Sequence, residues 1–183
     1  MGIDVTVMIG GEAGQGIQTV GDLLTRICYR SGLYLMAVND FESRIRGGHS
    51  FMQMRISDSP VRGPDHRIHL LVALNEETYE RHKEQMAEGG LVIIDRENGS
   101  AESNVLSVPI TRLAREAGGK IVANTVTAGA ALTLLGGPME GLRQVLNEHF
   151  GDKKASVLEN NLKAADAGRK AVEEIEFKWH LLP

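Results

Sequence analysis

Ile3-Asp4-Val5-Thr6-Val7-Met8-Ile9-Gly10-Gly11-Glu12-Ala13-Gly14-Gln15-Gly16-Ile17 is the stretch whose reading decides the fold. Ile3, Val5, Val7 and Ile9 recur at the two-residue period of a strand, and the run ends in a cluster of glycines. The period then changes. Ile17, Val20, Leu23, Leu24, Ile27 and Cys28 follow helical spacing over 17–31, and Gly32 is well placed to end that helix. Tyr34 to Val38 reads as a second strand. Strand, glycine loop, helix and strand together predict the βαβ opening of an open α/β sheet with a right-handed crossover.

Further along the chain, Ser50, Met52, Met54 and Ile56 share one face of a strand and Phe51, Gln53 and Arg55 the other, while Asp58-Ser59-Pro60 supplies a turn. An antiparallel ribbon is expected there, which makes the sheet mixed. Leu70 to Leu74 predicts a strand, and Asn75 caps a helix running to about Glu88, stopped by Gly89-Gly90. Leu91 to Ile94, ending at Asp95, and Val105 to Val108 predict two more strands. Helices are expected over Thr111 to Ala117, Met139 to Phe150 and Ala155 to Ile175, with the small apolar run Ala128 to Leu135 between them. The expected fold is a three-layer α/β/α Rossmann-like domain with a mostly parallel, mixed central sheet, a single domain over 1–183.

Composition limits what such a domain can do. The chain has 183 residues, 42% of them hydrophobic, enough for a sizeable core, and a net charge of −4 that offers no large field for nucleic acid or an anionic membrane. No window approaches the roughly 18 apolar residues of a membrane span and no signal sequence opens the chain, so a cytoplasmic protein is expected. Cys28 is the only cysteine, which excludes an iron–sulfur cluster, a Cys-rich zinc site or a disulfide framework built from this chain alone. On the apolar side of a predicted helix, it reads as a small buried side chain.

The glycine loop lacks the G-x-G-x-x-G spacing of dinucleotide-binding folds, because Thr19 stands five residues after Gly14. Glycines ahead of a helix still let backbone N–H groups approach an anion at the positive end of the helix dipole. A tight turn without a ligand satisfies the same pattern. Arg44 and Arg46, beside Gly47-Gly48, could grip phosphate oxygens, contact another subunit or remain solvated. His49, His66, His69, His82, His149 and His180 show no metal-ligand spacing, and Ser50 lacks the surroundings of a hydrolytic nucleophile. No catalytic residue and no metal ligand is assigned.

Taken together, these segments resemble the gamma subunit or gamma domain of 2-oxoacid:ferredoxin oxidoreductases over nearly the whole chain. The resemblance rests on Gly11-Glu12-Ala13-Gly14-Gln15-Gly16-Ile17, on Ile45-Arg46-Gly47-Gly48-His49-Ser50 with Arg55-Ile56-Ser57, and on Asn124 to Ala130 followed by Asn161-Leu162-Lys163-Ala164. Ala13 stands where the family usually has glycine. Within the family, Phe41-Glu42-Ser43-Arg44-Ile45-Arg46-Gly47-Gly48 looks closest to the 2-oxoglutarate branch, with pyruvate next.

The resemblance implies CoA-dependent oxidative decarboxylation of a 2-oxoacid to an acyl-CoA and carbon dioxide, with electrons passed to ferredoxin. It implies that thiamine diphosphate, magnesium and iron–sulfur clusters sit on alpha, beta and ferredoxin-like delta subunits, and that this chain binds no cofactor by itself. For coenzyme A, a substrate of the complex, it points to Gly14, Gln15, Gly16 and Arg46, with Asn124 and Thr125 as further candidates. An isolated subunit would expose its contact surface and self-associate as a homodimer. A stand-alone nucleotide-binding or regulatory α/β module is the alternative.

Overall fold

The computed structural model, which describes residues 2–41 and 48–175, turns the alternating run into strand β1 (Asp4–Glu12). The strand carries through Gly10 and Gly11, so the loop proper is Ala13 to Gly16. Helix α1 (Ile17–Arg30) follows and buries Ile17, Val20, Leu23, Leu24, Ile27 and Cys28. Each large side chain of this set stabilises by roughly 1.5–3 kcal/mol. Leu24 has no exposed surface, so truncating it to alanine would cost about 2–5 kcal/mol.

The remaining strands are β2 (Tyr34–Phe41), β3 (His49–Ser57), β4 (Ile68–Ala73), β5 (Met86–Asp95) and β6 (Val105–Val108). One six-stranded sheet contains them in the order β2-β3-β1-β4-β5-β6. The β2–β3 and β3–β1 pairs are antiparallel, and the β1–β4, β4–β5 and β5–β6 pairs are parallel. The sheet is therefore mixed and mostly parallel, as expected. The opening differs from a simple βαβ unit. β2 runs in the same direction as β1 but does not touch it, because β3 returns from β2 and takes the place between them, Val7 opposite Met54.

A second correction concerns helix α2 (Glu76–His82), which ends six residues before Glu88 and is followed by a 3-10 turn over Lys83–Gln85. The Asn75 side chain accepts the Thr78 N–H at 2.9 Å, so the predicted cap is present. The strand begins early because Met86 pairs with Ile68, and cross-strand pairing overrides the helical spacing of 76–88. A register shift between Ile68 and Leu70 then sends these two residues to opposite faces.

Helices α3 (Ile110–Ala117), α4 (Ala123–Leu134), α5 (Met139–Phe150) and α6 (Ala155–Lys170) follow. With α1 they cover one sheet face, over a core that includes Val7, Ile9, Met54, Leu70, Val72 and Ile93. The opposite face buries Met8, Leu71, Val92 and Ile94 beneath Tyr79 of α2, so among the described residues the third layer is a single short helix. At Gly129 and Gly168 an added Cβ would strike the carbonyls of Ala165 and Val126, so α4 and α6 pack backbone to backbone. No helix among the described residues is long and apolar enough to cross a membrane.

Candidate functional site

β1, β4 and β5 are parallel neighbours, so their carboxyl ends open together at one edge of the sheet. The chain goes from β1 to one side of the sheet through α1, and β4, β5 and β6 lie on the other side. Such a reversal of strand order leaves a crevice in which open α/β sheets bind ligands. Here the crevice measures about 550 Å³. Gly14 and Gln15 line it from the loop after β1, Leu74 from the end of β4, and Asp95 from the end of β5. Ile110 and Thr111 of α3, Lys120 and Ile121 of the 3-10 turn over Lys120–Val122, and Ala123, Asn124 and Thr127 of α4 complete it.

The glycine loop is held open by its own hydrogen bonds. The Gln15 N–H donates to the Glu12 carbonyl at 3.0 Å, and the Glu12 N–H donates to Gln15 Oε1 at 2.6 Å. Asn75 Nδ2 donates to the same oxygen at 3.3 Å, tying the loop to the start of α2. Gly16 precedes α1 with φ 87° and ψ 21°, a left-handed conformation that favours glycine. A Cβ there would run into the Asn124 side chain, so the loop and α4 meet at this point. No side chain caps α1 or α4, and neither first turn contains an acid. The unpaired N–H groups at the start of α1 give the glycine loop beside them a positive character.

The other wall is anchored by Asp95, whose carboxylate accepts the Thr111 N–H at 3.1 Å and the Thr111 hydroxyl at 2.5 Å. Lys120 and Ile121 stand at the rim, and Ile121 is 89% exposed. Asp95, Thr111 and Lys120 were not singled out from the sequence. Their one sequence signal is the position of Asp95 at the carboxyl end of a predicted parallel strand.

Of the residues singled out, Gly14, Gln15, Gly16 and Asn124 come together at the glycine-loop end. Thr125 does not join them. It is 4% exposed and its hydroxyl donates to Asn161 Oδ1 at 2.6 Å, while Asn161 Nδ2 donates to the Val157 carbonyl at 2.9 Å. That buried bond joins the two segments Asn124–Ala130 and Asn161–Ala164 between α4 and α6. Arg44 and Arg46 lie outside the described residues. The residue before that segment, Phe41, lines a second hollow of about 270 Å³ with Ala13, Gly14, Gly16 and Ser50.

A further cluster was missed by the sequence reading. His49 of β3 and His82 of α2 are both buried, with their Nε2 atoms 2.7 Å apart and Phe51 edge-on to His82. Burial holds the His82 imidazole below its usual pKa, opposed by its bond to Gln85 and reinforced by the nearby Arg81 charge. The two histidines are 33 residues apart, so only the sheet and helix packing pairs them. Among the described residues, no three or more His, Cys, Asp or Glu side chains converge as a metal site. Burial pushes the Cys28 thiol up to about 12, leaving it unreactive.

The model of the pyruvate ferredoxin/flavodoxin oxidoreductase family matches residues 6–171. The chain is 31% identical over 140 residues to the 2-oxoglutarate synthase subunit KorC of Methanocaldococcus jannaschii, covering 70% of this chain and 73% of that one. It is 30% identical over 180 residues to the ketoisovalerate oxidoreductase subunit VorA of Methanothermobacter thermautotrophicus, covering 94% of this chain and 38% of that one. Among solved structures, the 2-oxoglutarate:ferredoxin oxidoreductase from Magnetococcus marinus with 2-oxoglutarate, coenzyme A and succinyl-CoA bound superposes with a TM-score of 0.86. It is 27% identical, over 97% of this chain and 33% of that one. The chain thus spans about a third of the length of these two longer relatives.

Proposed function

Because this chain belongs to the pyruvate ferredoxin/flavodoxin oxidoreductase family, we propose that it is a single-domain gamma subunit of a 2-oxoacid:ferredoxin oxidoreductase. Its complex converts a 2-oxoacid and coenzyme A to an acyl-CoA and carbon dioxide, and passes electrons one at a time to ferredoxin. The likeness to the 2-oxoglutarate synthase subunit and to the 2-oxoglutarate enzyme supports 2-oxoglutarate as substrate. The alpha, beta and ferredoxin-like delta subunits are its partners, in the cytoplasm. One cysteine, buried in α1, does not fit a role in holding iron–sulfur clusters. Those clusters, thiamine diphosphate and its magnesium belong to the partners, which supply the carbon–carbon bond cleavage and the electron relay.

This chain's own part is to hold coenzyme A. The observation that carries the reading is the 550 Å³ crevice at the carboxyl ends of β1, β4 and β5, lined by Gly14 and Gln15 of the loop that leads into the uncapped α1. Gly14 and Gly16 let the coenzyme's diphosphate approach the backbone N–H groups of that helix start, and Asn124 offers an amide beside it. Gln15 holds the loop in shape, and Arg46 adds a guanidinium to the phosphates. Thr125 serves by fixing α4 against α6.

Anaerobic affinity purification of the chain from its native host, followed by a dye-reduction assay, tests this. The expected result is recovery with thiamine- and cluster-bearing subunits and activity that needs both a 2-oxoacid and coenzyme A. Recovery of the chain alone and inactive would overturn the reading in favour of a stand-alone nucleotide-binding module.

A further inference from the structure

The crevice is divided chemically along its length. One end is the glycine loop, where Gly14 and Asn124 lie beside the start of α1. Lys120 stands four residues before Asn124, about one helical turn away along the segment that leads into α4. Asp95 lies at the end of β5 with its carboxylate oriented by Thr111. Each carboxylate oxygen keeps further acceptor capacity beyond its bond to Thr111. Ile110 and Ile121 add apolar surface on that side, and Ile121 is 89% exposed.

A lysine in the turn that opens a helix is unfavourable, because its charge faces the positive end of the helix dipole. An isoleucine exposed beside it leaves its apolar side chain in water. Such departures from local preference are characteristic of binding positions. A ligand carrying two separate phosphate groups, with a sugar and a flat apolar ring between and beyond them, would satisfy both departures together.

Resting on the reading above that the ligand is coenzyme A, we propose that Lys120 selects for its 3′-phosphate. The diphosphate then lies at the glycine loop and the ribose turns its 2′-hydroxyl to Asp95. The adenine rests against Ile110 and Ile121, and the Lys120 ammonium pairs with the 3′-phosphate. The negative charge of Asp95 makes the Lys120 contact decisive, since a phosphate displaced from the lysine would face a carboxylate. This orients the coenzyme with its 3′-phosphoadenosine on the β5 and α3 side and its pantetheine arm leaving past the glycine loop.

Calorimetric titration of the full chain with coenzyme A and with dephospho-coenzyme A, for the wild type, Lys120→Ala and Lys120→Arg, tests the assignment. Lys120 is exposed, so both variants are expected to fold, checked by circular dichroism. The wild type should prefer coenzyme A by on the order of ten- to a hundredfold. Lys120→Ala should lose that preference by weakening coenzyme A alone, and Lys120→Arg should keep most of it. An unchanged ratio of the two affinities in Lys120→Ala, with coenzyme A still bound, overturns the role of Lys120 and leaves the coenzyme reading standing. Absence of binding of both ligands by the wild type overturns both.

Discussion

The Nε2 atoms of His49 and His82 lie 2.7 Å apart between β3 and α2, so one imidazole donates and the other accepts. The pair cannot carry a proton on both facing nitrogens. Burial lowers the pKa of His82, and burial also lowers that of His69, against the opposing charge of Asp65. In the unfolded chain both titrate near the usual value of about 6.5. Below that value the unfolded state binds more protons than the folded one, so stability is complete above it and is lost as pH falls through the folded values. Urea unfolding should show a lower midpoint at about pH 5.5 than at about pH 7.5. His82→Gln should weaken this pH dependence without abolishing it, since His69 still titrates; an unchanged dependence in His82→Gln would remove His82 from the account.

Gly16 faces two penalties if given a side chain, a strained φ of 87° and a collision with Asn124. Gly16→Ala should destabilise by more than the roughly 1–2 kcal/mol of the backbone term alone. Asn124→Gly in the same molecule should recover the collision part only. Denaturant titration of the two single variants and the double variant separates these terms, and strict additivity would show that the loop and α4 do not meet there.

The Thr125–Asn161 hydrogen bond is buried at 2.6 Å between α4 and α6. Thr125→Val leaves the Asn161 oxygen without this donor and should cost about 1–3 kcal/mol. Replacing both, with Asn161→Leu added, should cost less than the two single changes together. The coupling energy from the four denaturation midpoints is the readout, and a value near zero would contradict the structural role given to Thr125.

Among the described residues strand β2 is an edge of the sheet, and Tyr34, Val38 and Phe41 on it are exposed. An unpaired edge carrying apolar side chains pairs readily with another chain. The isolated chain should therefore self-associate, and Val38→Lys should shift it towards monomer without lowering its melting temperature. Light scattering across a concentration series reads this directly; a monomeric wild type at high concentration would place the contact surface elsewhere.

Much of this architecture was legible because it is written in local periodicity. The changes of period at Ile9 and Ile17 mark the glycine loop, and the residues of β3 divide into two faces as their alternation predicts. Features that depend on strands distant in sequence were not legible. The placement of β3 between β2 and β1 depends on long-range pairing, and the early start of β5 depends on Met86 finding Ile68. Around the crevice, Gly14, Gln15, Gly16 and Asn124 stand in motif segments that the sequence displays. Thr125, adjacent to Asn124 in sequence and so about 100° around α4 from it, faces α6 instead, a distinction that helical geometry makes only once the contacts of α4 are known. Lys120 and Asp95 carry no motif, and only the fold brings them to the same crevice.

The most direct test of the account is the Michaelis constant for coenzyme A in the purified complex carrying Asn124→Asp. This change keeps the side chain's shape and places a negative charge at the diphosphate end of the crevice. A like charge near a phosphate should raise the Michaelis constant for coenzyme A by about tenfold or more, close to 1.4 kcal/mol at least, and leave that for the 2-oxoacid unchanged. An assembled, active complex with a wild-type Michaelis constant for coenzyme A would contradict the assignment of this crevice to the coenzyme.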